Sequence, residues 1–417
     1  MLETLFPRGF RRYSSLPVLG PMVDGFTTWL LKQRYASSYI EQRIWLLSHI
    51  EVTLMRRGVR HLSEIRQADL VACRKSLRRR FPYLTGTTDA LQEYLRAQNV
   101  VKPEVAETTS ATAEYLAAYA HYLQTVCGAA ASTIRQNSYT ASEFLAYLKI
   151  EKNPDRLKAL TVNDLEAFVK TISHRFSRPS LHRIGGRLRS FLRFLAVQGE
   201  IPRGLDQQVD TPTVYREEQL PSALPWETVQ RFLHSIDRSS LVGLRDYTIF
   251  LLMAIYGLRV CDVLALTLDN IHWRDRKISI SQRKTGSVLE LPLTDAAGTA
   301  LHRYLRKLAP PAPFRQIFLR LRAPVGTLKT AAISKSFRVW AGRSGVEIPG
   351  KGSCHCIRHS YAVSLLRKGA PVKTIGDILG HRTLESTWTY LRLAIDDLRD
   401  VALPVPPQAK DRKAVRP

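Results

Sequence analysis

The sequence predicts a mainly α-helical chain with a small β-sheet: two N-terminal helical segments followed by an α+β catalytic domain. Three observations carry this. Apolar residues recur at helical spacing from residue 21 to about 205. Two strand-like runs flank a basic turn at Arg283-Lys284-Thr285-Gly286. The last third of the chain gathers two arginines, two histidines and a phenol, namely Arg259, His355, Arg358, His381 and Tyr390. The 417 residues suffice for two or three domains of roughly 100–200 residues each. An apolar fraction of 45% is that of chains with real cores.

Residues 1–20 read as an N-terminal leader. They carry Arg8, Arg11 and Arg12 but no long apolar run before a cleavage site, so no secretory signal is expected. The first helical segment spans 21–92, where Phe26, Trp29 and Leu30, then Ile40, Ile44 and Leu47, fall on helical faces. Arg78-Arg79-Arg80-Phe81-Pro82 comes near its end, and 93–107, with Pro103, reads as a connection.

The second helical segment spans 108–205. Tyr115, Ala118, Tyr119, Tyr122 and Leu123 share one face, and Phe144, Leu145 and Leu148 share another. Thr161-Val162-Asn163-Asp164 ahead of Leu165 and Phe168 resembles a capping box, with Asp in place of Glu. A last helix through Leu188, Phe191, Leu192 and Leu195 stops at Gly199 and Pro202.

The two segments look related. Ser38-Tyr39-Ile40-Glu41-Gln42 resembles Ser132-Thr133-Ile134-Arg135-Gln136, and Ile65 through Leu70 resembles Leu160 through Leu165. Gln42 lies 27 residues before Asp69, and Gln136 lies 28 before Asp164. This suggests that residues 21–92 are a duplicated helical module.

Residues 206–222, with Pro212 and Pro221, read as an interdomain linker. The third segment, 223–400, opens with helical patterns around Val229-Phe232-Leu233 and Tyr247-Leu251. Lys277–Ser281 and Val288–Pro292 form the expected hairpin, and further helices carry 355–366 and 371–379. The tail 401–417, rich in Pro, Lys and Arg, is expected to be disordered.

A formal charge of +26 and a pI near 10.2 point to a polyanionic partner. Of 62 basic residues, 45 are Arg, whose planar fork donates two parallel hydrogen bonds to phosphate. No lipid anchor or long amphipathic stripe supports a membrane partner, and Tyr247–Tyr256, the most apolar stretch, is too short to span a bilayer. Five cysteines form no disulfide framework and fit a reducing cytosol. Cys354-His355-Cys356 lacks zinc spacing and a second ligand pair, so no metal or other cofactor is expected.

Phosphodiester exchange needs a nucleophile, charge stabilisation at phosphorus, a base and an acid. A tyrosine can be the nucleophile if nearby cations lower its pKa. Two arginines can neutralise the non-bridging oxygens. A lysine on a hairpin can protonate the leaving 5′ oxygen, and Lys284 is placed for that, with Arg283 and Lys277 on the same element. Asp262, three residues after Arg259, can orient its guanidinium. His355 and Arg358 stand at a helix start, where backbone N–H groups favour an anion, and His359 and Ser360 add donors. Taken alone, each of these has an ordinary structural reading, and Tyr390 between Trp388 and Arg392 would be packing.

As an ordered set they resemble the tyrosine recombinase (phage-type integrase) family. Gly257-Leu258-Arg259, Asp262 and Leu266 resemble its first arginine box, His355 with Arg358-His359 its second, and Leu379-Gly380-His381 with Tyr390 its third box and nucleophile. The resemblance covers 223–400 and extends over 108–205 as a helical core-binding (SAM-like) domain. It implies that Tyr390 attacks a DNA phosphate to give a 3′-phosphotyrosyl link, with Arg259 and Arg358 clamping the phosphate. Lys284 would be the general acid, His355 would take or assist the tyrosine proton, and His381 would bond a non-bridging oxygen. No ATP would be needed. It further implies a homo- or hetero-tetramer on two DNA duplexes, with companion recombinases or directionality factors, acting in the bacterial cytoplasm at the nucleoid, on an integrating or transposing mobile element. Asp262 departs from the family's usual Glu, and the extra segment 21–92 exceeds the simplest two-domain members, which implies an arm-type DNA-binding domain or a duplicated core-binding module. Two other readings share parts of the pattern: a type IB topoisomerase-like nicking-closing enzyme, and a non-catalytic DNA-binding regulator.

Overall fold

The computed structural model describes residues 1–84, 86–101, 110–215, 221–282, 286, 288–308, 314–348, 353–381 and 383–393. They are mostly helical, with two small antiparallel sheets, as the mainly α expectation required. By Cα proximity the chain divides into two compact units, Met1–Arg60 with Gln219–Pro417, and His61–Glu218.

The first unit begins with α1 (Leu2–Leu5), α2 (Phe10–Ser14), α3 (Val23–Lys32) and α4 (Ser37–Arg56). Residues 1–20 are not a free leader. Leu2, Val18 and Leu19 are buried, and the Val18 and Leu19 amides donate to the Glu51 carboxylate on α4 at 2.7 and 3.0 Å. The helical periodicity of α4 buries Ile40, Ile44, Leu47, Ile50 and Leu54.

The second unit holds α5 (Gln67–Arg80), α6 (Gly86–Ala97), α7 (Ala111–Thr125), α8 (Ala131–Leu148), α9 (Val162–Ser173) and α10 (Arg178–Val197). Helix α6 runs past the expected break at 92 because Tyr94 and Leu95 continue its buried face. Tyr119, Phe144, Leu188 and Phe191 lie in the core that α7 to α10 enclose. Asp164 caps α9 as expected, accepting the Thr161 amide at 3.0 Å. The stretch expected as a linker is strapped down at its start: Val209 is buried, and Arg189 and Arg178 donate to the Val209 and Thr213 carbonyls at 2.8 and 2.9 Å.

The local features of α3 to α6 recur in α7 to α10. In α4 the buried positions include Arg43, Leu46, Leu47, Ile50, Glu51 and Leu54; 94 residues later, α8 buries Asn137, Thr140, Ala141, Phe144, Leu145 and Leu148. In α5, Leu70, Cys73 and Leu77 are buried; 95 residues later, α9 buries Leu165, Phe168 and Ile172. Asp69 accepts the Arg66 amide at 3.0 Å, as Asp164 does that of Thr161. Asn99 and Gly199, each just past its helix, share a positive φ.

The first unit continues with α11 (Trp226–Ser235), α12 (Leu241–Tyr256) and α13 (Val260–Ala265). A three-stranded sheet follows, β1 (Ile271–His272), β2 (Lys277–Ser281) and β3 (Val288–Pro292), in that order. The expected hairpin is present, with Ile278 opposite Leu291 and Ile280 opposite Leu289. Next come α14 (Asp295–Lys307), a short pair β4 (Leu319–Arg320) and β5 (Gly326–Thr327), then α15 (Thr330–Arg343), α16 (His355–Arg367), α17 (Val372–Leu379) and α18 (Glu385–Trp388). Helix α12 is buried on nearly all sides. Phe250 from α12 packs edge-on with Phe232 and Phe337 at 5.4 and 5.6 Å. A smaller cluster of Ala362, Val363, Ile375, Leu379 and Tyr390 closes the C-terminal end.

Candidate active site

Two helix ends build the site. Helix α12 stops at Gly257 and α17 at Gly380, both left-handed with φ of 61° and 63°, a conformation that glycine adopts without a Cβ penalty. Each end leaves carbonyls with no partner in its own helix. Arg358, on α16, supplies them. Its Nη1 donates to the Gly257 carbonyl at 2.6 Å and its Nη2 to that of Leu379 at 2.7 Å. Arg358 is only 5% exposed. Burial, then the neighbouring Arg259 charge, lowers its pKa to about 10, so it remains charged at neutral pH.

Arg259 caps α13 two residues past Gly257. Its guanidinium donates to the Gln282 Oε1 and to the Gly380 carbonyl, both at 3.4 Å, and lies 3.8 Å from Asp262 Oδ2. The orienting role expected of Asp262 agrees with this separation. The two arginines thus meet around the Leu379-Gly380 backbone. Gln282 is a member of the site that the sequence reading missed. The signal was available: Gln282, the residue after β2, continues the alternation of Ile278 and Ile280, and all three are buried.

A Cβ at Gly380 would collide with the Gln282 side-chain amide. Gly380→Ala is therefore expected to lower stability by at least ~1–2 kcal/mol from the backbone alone and to push Gln282 off Arg259. Thermal unfolding and DNA cleavage assays on the variant check this; unchanged values in both would remove Gly380 from the site.

Tyr390 is 4% exposed. Its hydroxyl sits 3.1 Å from His359 Nδ1, and its ring stacks on His381 at 6.2 Å and 15°. His381 in turn pairs through Nδ1 with the Thr387 hydroxyl at 2.8 Å. Burial, then the charges of His355 and Arg358, lowers the His359 pKa to about 4. At neutral pH this ring is uncharged, and in the tautomer that carries its proton on Nε2 the Nδ1 can accept a hydrogen bond from the phenol. His359 was noted in the sequence only as an extra donor. Its place one helical turn after His355 was the clue to a shared face.

The structure brings Arg259, Arg358, His381 and Tyr390 together. His355 opens α16 and is exposed; the phenol bonds His359, one turn further on. Lys284 and Arg283 lie outside the described residues, and Lys277 pairs with Glu290 at 3.6 Å. The expectation that cations lower the phenol pKa needs correction. Arg358 and Arg259 do pull it down, but burial acts more strongly and the net shift is upward.

Among the described residues, no three His, Cys, Asp or Glu side chains gather in a metal-binding group, and no helix is long and apolar enough to cross a membrane. Cys354 and Cys356 are buried, and burial pushes the Cys356 thiol up to about 12.

Comparison with known proteins adds four findings. The phage integrase family matches residues 223–396, and the phage integrase N-terminal SAM-like domain matches residues 116–199. The chain is 30% identical to y4rA of Sinorhizobium fredii, named as an integrase/recombinase, over 95% of this chain and 97% of that protein. It is 28% identical to the tyrosine recombinase XerD of Listeria monocytogenes, over 70% of this chain and 98% of XerD. A lambda integrase tetramer bound to a Holliday junction superposes with a TM-score of 0.53 at 18% identity, covering 74% of this chain and 86% of that one.

Proposed function

The chain belongs to the phage integrase family of tyrosine recombinases, and from that premise we propose that it cuts and rejoins DNA at specific sites through a covalent link to Tyr390. The observation that carries this reading is the phenol held beside a neutral imidazole and next to two converging guanidiniums. In the cleavage step the Tyr390 oxygen attacks phosphorus and the bond to the 5′ oxygen breaks. The phenol proton passes to His359 Nδ1, with His355 assisting from the same helical face. The leaving 5′ oxygen takes its proton from Lys284. Arg259 and Arg358 balance the charge that builds on the non-bridging oxygens, and His381 donates to one of them. A 5′ hydroxyl from a partner strand reverses these steps, so the phosphodiester bond energy is retained and neither ATP nor a metal is required.

Because Tyr390 is buried, its segment must open before the phenol reaches a phosphate. We place that opening at DNA binding. The assembly proposed is a tetramer on two duplexes, supported by the lambda integrase tetramer on a Holliday junction. The integrase naming of y4rA supports action on an integrating element; action at the nucleoid, with directionality factors, is part of the same proposal.

The test uses nicked duplexes of randomised sequence. A protein–DNA adduct that survives SDS, with mass spectrometry placing the 3′ phosphate on Tyr390, is the expected result. Relaxation of a supercoiled plasmid with no exchange between duplexes would favour the topoisomerase-like reading. Tight binding without any adduct would favour a regulator.

His359 allows a second test. Asn at this position offers a carbonyl oxygen near the place of Nδ1 but cannot take a proton. His359→Asn should slow adduct formation roughly 10²-fold, the low end for loss of a general base, while leaving DNA affinity intact. The same residue predicts acid sensitivity. Its folded pKa of about 4 lies below the unfolded value near 6.5. The unfolded chain binds the extra proton, so this contribution is complete above about pH 6.5 and is lost as pH falls towards 4, by up to about 3 kcal/mol. Urea midpoints from pH 7.5 to 4.5 should fall for the native protein and fall less for His359→Asn; parallel curves would remove His359 as the source.

A further inference from the structure

Thr387 has no part in the chemistry proposed above, yet it holds the site at two points. The residue is 1% exposed. Its hydroxyl lies 2.8 Å from His381 Nδ1, and its carbonyl accepts the Tyr390 amide at 3.0 Å. The hydroxyl is seated against α17 because residue 376 is glycine: a Cβ there would stand 2.9 Å from Thr387 Oγ1. One buried residue therefore fixes both the imidazole and the backbone turn that carries the phenol.

We propose that Thr387 is a positioning residue for the strand-cleavage step: its hydroxyl donates to His381 Nδ1, which keeps the ring proton on Nε2 and makes that N–H the one presented to a phosphate oxygen. The inference rests on the recombinase reading in giving His381 a phosphate oxygen to bond. The direction of the bond follows from what each partner needs. A neutral imidazole has one donor and one acceptor nitrogen, and the bond made by one nitrogen sets where the proton sits. If Nδ1 carried the proton, the Thr387 hydroxyl would accept it, and its own proton would need another acceptor. Among the described residues, His381 Nδ1 is the one polar atom within hydrogen-bond distance of Thr387 Oγ1. The hydroxyl proton would then be buried without a partner, which costs free energy; donation to Nδ1 satisfies both atoms. The ring is held from a second side as well. It stacks on Tyr390 at 6.2 Å and 15°, so with Nδ1 tied to Thr387 it cannot turn to exchange its nitrogens. Trp388, the next residue, is 53% exposed, so the chain beyond Thr387 can turn to release the phenol while the hydroxyl stays seated.

The test measures adduct formation by the full chain on nicked duplexes, together with tautomer-sensitive nitrogen–proton spectra of histidine-labelled protein, the His381 signals being assigned with His381→Ala. Thr387→Val keeps the shape of the side chain and removes the hydroxyl. It should slow adduct formation about tenfold, ~1.4 kcal/mol, the scale of one hydrogen bond, with duplex affinity unchanged and the Nε2–H signature replaced by a mixture of tautomers. Thr387→Ser, which keeps the hydroxyl, should react within about twofold of native. Gly376→Ala leaves both partners in place but crowds the hydroxyl, and should slow the reaction as Thr387→Val does. In a His381→Ala background, Thr387→Val should add no further loss, since Thr387 acts through the ring; an equal loss there would leave Thr387 a structural role only and overturn the proposal. So would a native ring with its proton on Nδ1, an unchanged rate in Thr387→Val, or a faster one, which would make the bond a latch on the closed segment. A native protein that forms no adduct, while the hydroxyl still sets the Nε2 tautomer, sinks the recombinase reading and upholds the hydrogen-bond assignment.

Discussion

Tyr390→Phe should abolish the covalent adduct while leaving DNA binding within about twofold of native, a change under ~0.5 kcal/mol. The substitution removes one oxygen and keeps the ring that packs with Val363, Ile375 and Leu379. His381 retains its stacking partner, and Arg358 loses its contact with the phenol oxygen but keeps its bonds to the Gly257 and Leu379 carbonyls. What is lost is the only atom proposed to form a bond to phosphorus. His359 Nδ1 also loses its hydrogen-bond partner, so a stability loss of about 1–3 kcal/mol is the expected side effect. The readouts are adduct yield on a nicked duplex, binding by anisotropy, and a urea melt. An adduct retained by the Phe variant would mean that another side chain is the nucleophile.

The second large effect belongs to Arg358, and here stability and chemistry fall together. Arg358→Ala leaves the Gly257 and Leu379 carbonyls without their buried donor. At about 1–3 kcal/mol for each unsatisfied buried group, the loss is roughly 2–6 kcal/mol. Arg358→Lys is the more informative change. It keeps a positive charge, but one ammonium cannot reproduce the planar fork that reaches both helix ends. Stability should recover in part, whereas adduct formation should remain about 10²–10³-fold slow, the usual cost of losing a charge-stabilising donor. Arg259→Ala should lose comparable activity, and because it removes the guanidinium beside the buried Asp262 carboxylate its urea midpoint should fall as well. If Arg358→Lys and native protein formed adduct at the same rate, the guanidinium would be structural only.

These outcomes bear on how the site was read. The ordered boxes at Arg259, Arg358, His381 and Tyr390 could be found in the chain because short motifs survive as strings. The hairpin was equally legible, since Lys277–Ser281 and Val288–Pro292 alternate with the period of a strand and β2 and β3 occupy those residues. The likeness of the two helical segments was visible at Gln42 and Gln136, Asp69 and Asp164, and their helices bury residues at matching positions because burial on a helix imposes a period. Residues 1–20 were less legible. Their leader-like composition gave no sign that Glu51 on α4 would take two of their amides.

By itself, then, the sequence determined the helical class, the basic character that calls for a polyanion, and the set of candidate reacting groups. These depend on composition and local period, which a chain carries before it folds. The tertiary structure decided which histidine lies within hydrogen-bond distance of the phenol, His359 at 3.1 Å. It also decided that Arg358 ties two helix ends 101 and 21 residues away, and that Tyr390 rests buried with its pKa raised. The physical reason is common to all three. Desolvation and hydrogen-bond partnership depend on what distant segments bring within a few ångströms, and burial outweighed the arginines at Tyr390 only because the packing of α16 and α17 removed the phenol from water.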